Sequence, residues 1–143
     1  MTPVELFKRE AKYLHRDYQT KIPDEAHGYL YSPKYFDIDD VIFDFDIDEE
    51  NFTLMKAQHV IARMIGFKKW VNLLKASKDE LELAKLLFEN RIRIDDWEMW
   101  LGIVERESKI DFDDIESQLN LLKEYLNNGG FEPQLEHYRF KQP

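Results

Sequence analysis

Three times along its 143 residues this chain writes the same signal for starting a helix. Thr2-Pro3-Val4-Glu5, Ser77-Lys78-Asp79-Glu80 and Asp95-Asp96-Trp97-Glu98 each place a short oxygen-bearing side chain three residues before a glutamate. In such a capping box the first side chain accepts a backbone N–H of the first turn, and the glutamate reaches back to the cap. Behind each box apolar residues recur at three- and four-residue steps. They are Phe7, Ala11, Leu14 and Tyr18; then Leu83, Leu86 and Leu87; then Trp97, Trp100, Leu101 and Val104. Period 3.6 gives each helix one apolar face, and that face has to be buried against another helix.

Further helices follow from the same reasoning. Thr53 predicts an N-cap for a helix through residue 65, with Phe52 stapled onto Ala57 and a stripe of Leu54, Ala57, Ile61 and Met64. Gly66 suits the left-handed position that ends a helix, and a short second helix over 68–76 places Trp70, Leu73 and Leu74 on one side. The last helix runs over 112–127 on Ile115, Leu119, Leu122 and Leu126, and Gly129-Gly130 stop it. Residues 21–36 hold two prolines and a glycine, and read as a long connection. Its Tyr29, Tyr31, Tyr35 and Phe36 serve as a flap over the core or as a recognition surface. At 41–48, Phe43, Phe45 and Ile47 alternate with Asp44, Asp46 and Asp48, which predicts a half-buried strand with a row of acids facing water. The tail 135–141 reads as a short extended segment. The expected fold is mainly α: a compact single-domain bundle over 1–143, with about six helices and one or two short strands.

With 43% hydrophobic and 14% aromatic residues, the chain has enough apolar surface for a real core. No cysteine is present, which removes disulfides, thiolate nucleophiles and cysteine zinc sites and fits a reducing, cytoplasmic setting. The start, MTPVELFKREAKYL, has no apolar core of a signal peptide, and no run approaches the roughly 20 apolar residues of a membrane span. Net charge is −9, which disfavours nucleic acid and anionic membrane as partners. The charge is strongly segregated. Residues 22–52 carry ten acids and one lysine, whereas residues 53–78 carry six basic groups and no acid.

Motifs for chemistry are scarce. Asp44-Phe45-Asp46-Ile47-Asp48 opens like a calcium loop, but Glu49 and Met55 stand where that loop needs glycine and glutamate. The four histidines (His15, His27, His59, His137) show no metal-ligand spacing, and no P-loop, nucleotide-binding glycine motif or nucleophile elbow is present. The residues therefore call for no cofactor, metal or catalytic group. An enzyme, if there is one, would be built around His15, His59 and nearby acids.

The basic block carries two resemblances. Ala62 followed by Gly66, with Lys68-Lys69 opening the next helix, is similar to the turn of helix-turn-helix DNA-binding proteins. It departs from them at Asn72, where that motif wants a buried aliphatic residue. The longer segment AQHVIARMIGFKKWVNL, residues 57–73, resembles the A-Q-x-x-I-A-x-x-x-G-F-x-x-W-x-x-L segment of a family of uncharacterised bacterial small proteins. Similar segments occur beside ankyrin repeats and in glyoxalase-superfamily-related proteins. Residues 6–18, LFKREAKYLHRDY, are similar to the helix that precedes that segment in the family. The resemblance divides the chain into a family-like helical part, 1–78, and C-terminal helices, 79–143. It implies a helical hairpin packed on the first helix, and no activity.

The leading expectation is a non-enzymatic module that binds another protein, of the immunity-protein, antitoxin or inhibitor kind. Its contact surface would be the acids Asp37, Asp39, Asp40, Asp44, Asp46, Asp48, Glu49 and Glu50, facing a basic partner. The alternative is nucleic-acid binding through Lys56, Arg63, Lys68, Lys69, Lys75 and Lys78.

Overall fold

The computed structural model describes residues 1–130 and 132–141. Among them are seven helices and one antiparallel hairpin, so the fold is mainly α. The helices are α1 (Pro3–Gln19), α2 (Ile38–Asp44), α3 (Leu54–Met64), α4 (Trp70–Leu74), α5 (Lys78–Glu89), α6 (Ile94–Ser108) and α7 (Ile115–Asn127). The hairpin pairs β1 (Ile22–Asp24) with β2 (Gly28–Leu30) inside the connection expected to be irregular.

The capping boxes at Thr2 and Ser77 form with both hydrogen bonds, and Thr53 caps α3. Asp95 is not a cap. Helix α6 starts one residue earlier, and Arg93 precedes it without a side-chain cap. Asp96, in the first turn of this helix, is buried and accepts the Leu135 N–H at 2.9 Å. That carboxylate is used to hold the tail.

The strand expected over 41–48 is instead α2 and its exit turn. Ile38, Val41, Ile42 and Phe45 also form a helical stripe; Ile38 and Val41 are buried, and Ile42 and Phe45 pack against them. Asp37 caps the N-terminus. At the other end Asp46 takes a left-handed backbone (φ 51), while its N–H bonds to Phe43 and that of Ile47 bonds to Ile42. This is the Schellman arrangement that closes a helix. Phe43, inward-facing in the strand reading, is 84% exposed.

Two cores share one wall. The first gathers Phe7, Ala11, Leu14 and Tyr18 of α1 with Phe36, α2, and Ala57, Val60 and Ile61 of α3. The second gathers Trp97 and Leu101 of α6 with Leu119 and Leu122 of α7. Helix α5 serves both, giving Ala84 and Phe88 to the first and Leu83 and Leu87 to the second. Two adjacent rows of one helix thus join the N-terminal and C-terminal halves. Trp97 and Trp100 belong to the second core, their rings 5.3 Å apart, with Trp100 edge-on to Tyr125.

The tail crosses back over the first core. Phe36 and Arg139 form an antiparallel bridge, and the N–H groups of Asp37 and Phe140 donate to Tyr138 and Tyr35. The extended tail expected over 135–141 is therefore present as an edge partner of the 35–37 segment.

Candidate functional site

Of the acids and bases singled out by charge, Asp46 and Asp48 and Lys56 and Arg63 line one groove, and the other ten do not. The groove has a volume of about 430 Å³ and lies between the exit of α2 and the outer face of α3. Phe45, Ile47, Phe52, Met55 and Trp70 make its apolar wall, with Asp46 and Asp48 on one rim and Lys56, His59 and Arg63 on the other. Met55 is 77% exposed; Phe43, also exposed, lines a separate cavity with Asp44, Arg93 and Tyr138.

The eight acids separate into two groups. Asp37 caps α2, and Asp44 accepts the Tyr138 hydroxyl at 2.6 Å with Arg93 3.8 Å away. Glu49 accepts the Tyr31 hydroxyl at 2.6 Å, and Glu50 accepts that of Tyr29. These hydrogen bonds raise the pKa of each phenol; for Tyr31 and Tyr138 burial contributes most. Four of the acids thus build the fold. Asp39, Asp40, Asp46 and Asp48 are exposed; burial and the neighbouring Asp37 raise the Asp40 carboxyl, and Asp48 accepts the Glu50 N–H.

The aromatic connection acts as a flap. Tyr35 stacks on Tyr13 at 3.9 Å and Phe36 is fully buried. The flap is locked by Asp17, a buried carboxylate of α1 that accepts the N–H groups of Lys34, Tyr35 and Phe36 at 2.7–2.9 Å.

The six basic residues of 53–78 are all exposed, and none forms an ion pair among the described residues. Lys56 donates to the Asn51 carbonyl and Arg63 lies over the Phe45 ring. Lys68 and Lys69 sit in the turn before α4, Lys75 at its end, and Lys78 opens α5.

The two helical histidines are not brought into one site. His59 lines the groove, whereas His15 packs beside Tyr18 and Phe52, with ring centres 6.2 and 6.4 Å away. Glu105, Asp111 and Asp113 gather their oxygens within 4.8 Å at the surface, as exposed acids commonly do.

Sequence reasoning missed the buried charges. Glu10 and Arg139 pair at 2.9 Å inside the protein, and His137 is buried beside them in the tail. Burial, with Arg91, Arg93 and Arg139 nearby, pushes the His137 imidazole down to about 3. A signal was available for the acids: Glu10 and Asp17 occupy stripe positions of α1 with Phe7, Leu14 and Tyr18. No protein-family model, curated protein or solved structure matches this chain at a significant level. No helix among the described residues is long and apolar enough to cross a membrane.

Proposed function

We propose that this protein is a non-catalytic binding module whose partner is a basic protein. The observation that carries this reading is the groove beside α3: an open apolar wall with Met55 exposed, bordered by the exposed carboxylates Asp46 and Asp48. A partner would seat an apolar side chain in the groove and place lysines or arginines against Asp39, Asp40, Asp46 and Asp48. The apolar contact would supply most of the affinity, and the acids would steer the approach and select the partner.

The test is affinity capture from the native host with three baits. They are the natural chain, a Phe43→Ser/Met55→Ser variant, and a variant with Asp39, Asp40, Asp46 and Asp48 changed to asparagine. A protein captured by the natural chain and lost from both variants supports the reading. An identical set of captured proteins from all three baits rejects it.

A second reading, nucleic-acid binding, is favoured by the six exposed cations of 53–78, which form no ion pair among the described residues. A low-salt gel shift with generic DNA and RNA decides it; retardation abolished by Lys68→Gln/Lys69→Gln would favour it over the protein partner.

A further inference from the structure

Helix α6 turns Trp97 and Leu101 inward to the second core and presents its opposite face to solvent. Asp95, Met99, Gly102, Ile103 and Arg106 fall on that outer face, at three- and four-residue steps. Met99 is 50% and Ile103 36% exposed. Gly102 stands between them, and a Cβ built there would meet nothing within 4 Å. Two exposed apolar side chains around a bare stretch of backbone let a second helix approach closely.

The charges on this face are placed symmetrically about Gly102 with opposite signs. Glu98 and Arg106 lie four residues before and after it, and Asp95 and Lys109 lie seven before and after. All four are exposed, and none is in an ion pair among the described residues. The other charges of α6 do not disturb the pattern. Asp96 is buried, Glu105 gathers with Asp111 and Asp113, and Glu107 stands about 140° round the helix from Gly102. A face whose acids and bases exchange places under a half-turn about its centre is complementary to itself.

We propose that α6 pairs with α6 of a second copy of this chain, antiparallel, about a two-fold axis at Gly102. The antiparallel pair sets Glu98 of each copy against Arg106 of the other, and Asp95 against Lys109. A parallel pair would face Glu98 with Glu98 and Arg106 with Arg106. Exposed ion pairs of this kind contribute little affinity but fix orientation and register. The apolar contact comes from Met99 and Ile103 of each copy, so the interface stands at the small end of the range and the dimer is weak and reversible. The net charge of −9 on each copy opposes association further. This face shares no residue with the groove beside α3, so the proposal is independent of the partner read there.

Analytical ultracentrifugation of the full chain from about 10 μM to about 1 mM tests this: the mean mass should rise from that of one chain toward that of two. Over the same range amide chemical shifts should move along 95–109 and stay fixed in α3. Gly102→Gln should fold at least as well, because the position is open and glutamine favours a helix more than glycine does. It should nonetheless raise the dissociation constant by about tenfold or more, since the helices can no longer approach. Glu98→Lys should weaken the dimer although it lowers the net charge of each copy, and Glu98→Lys/Arg106→Glu should restore it. A single-chain mass at about 1 mM, shifts confined to other residues, or undiminished association in Gly102→Gln would each overturn the proposal. So would a double exchange that fails to recover what Glu98→Lys loses.

Discussion

Glu10 and Arg139 lie 129 residues apart in the chain and meet at 2.9 Å in its interior. Arg139 also donates to the Tyr35 and Phe140 carbonyls, so one guanidinium joins α1, the aromatic flap and the tail. Breaking such a pair from one side leaves a buried charge without its partner. Arg139→Met should destabilise the protein by about 3 kcal/mol, the low end for a broken buried pair, because Arg9 still reaches Glu10. The double variant Glu10→Leu/Arg139→Met should recover part of that loss, since neither charge then remains. Urea unfolding of the two variants makes the comparison; a double variant less stable than the single one would contradict it.

Asp17 holds the flap through three amides and, among the described residues, without an ion pair. Asp17→Ala should cost about 2–4 kcal/mol, because three donors lose a charged acceptor and at least one of them is buried. Hydrogen exchange should accelerate at the amides of Lys34, Tyr35 and Phe36 before it does so in α3. Unaltered exchange at these three positions would mean that the flap is held by Phe36 and the Tyr13–Tyr35 stack alone.

These two carboxylates also mark where the sequence was hard to read. Helices with side-chain caps and separate apolar stripes were legible, as α1, α3 and α5 demonstrate. Local chemistry decides their starts, and local chemistry is visible in sequence. Segment 38–47 satisfies two periods at once: Phe43, Phe45 and Ile47 suit a strand, while Ile38, Val41, Ile42 and Phe45 suit a helix. Contact with α1 and the bond from Tyr138 to Asp44 favour the second. Four residues of the charge blocks, Asp46, Asp48, Lys56 and Arg63, line the groove, but which acids the fold would consume depends on tyrosines brought from elsewhere.

Gly66 was legible and bears a stringent prediction. Its backbone is left-handed (φ 99), and the N–H groups of Gly66 and Phe67 return to Arg63 and Ala62, closing α3 in a Schellman turn. A Cβ at this position would stand 3.2 Å from two carbons of the Ile94 side chain. Gly66→Ala should therefore cost about 1–2 kcal/mol for the backbone alone, with crowding of Ile94 added to it. Gly129, also left-handed but with open space around it, should show only the backbone cost. Equal losses of stability at the two sites would show that the contact with Ile94 relaxes freely.

His137 makes the stability of the fold depend on pH. Its Nδ1 accepts the Arg139 N–H at 3.0 Å, which requires a neutral ring protonated at Nε2. Its ring also meets Phe88 edge-on at 5.3 Å, while Arg91, Arg93 and Arg139 oppose any added charge. The folded imidazole consequently titrates near 3, whereas the unfolded one titrates at its ordinary 6.5. Between these values the unfolded chain binds the extra proton, so stability rises with pH. The contribution is complete above about pH 6.5 and falls by at most about 1.4 kcal/mol per pH unit as the solution is acidified toward 3. His137→Asn can retain an acceptor near the Arg139 N–H but cannot titrate. Urea unfolding at pH 7.5, 6 and 5 should find the natural chain losing stability more steeply than the variant, with the gap opening below about pH 6.5. Parallel curves for the two proteins would place the proton on His137 in both states and remove the tail from the account of acid sensitivity.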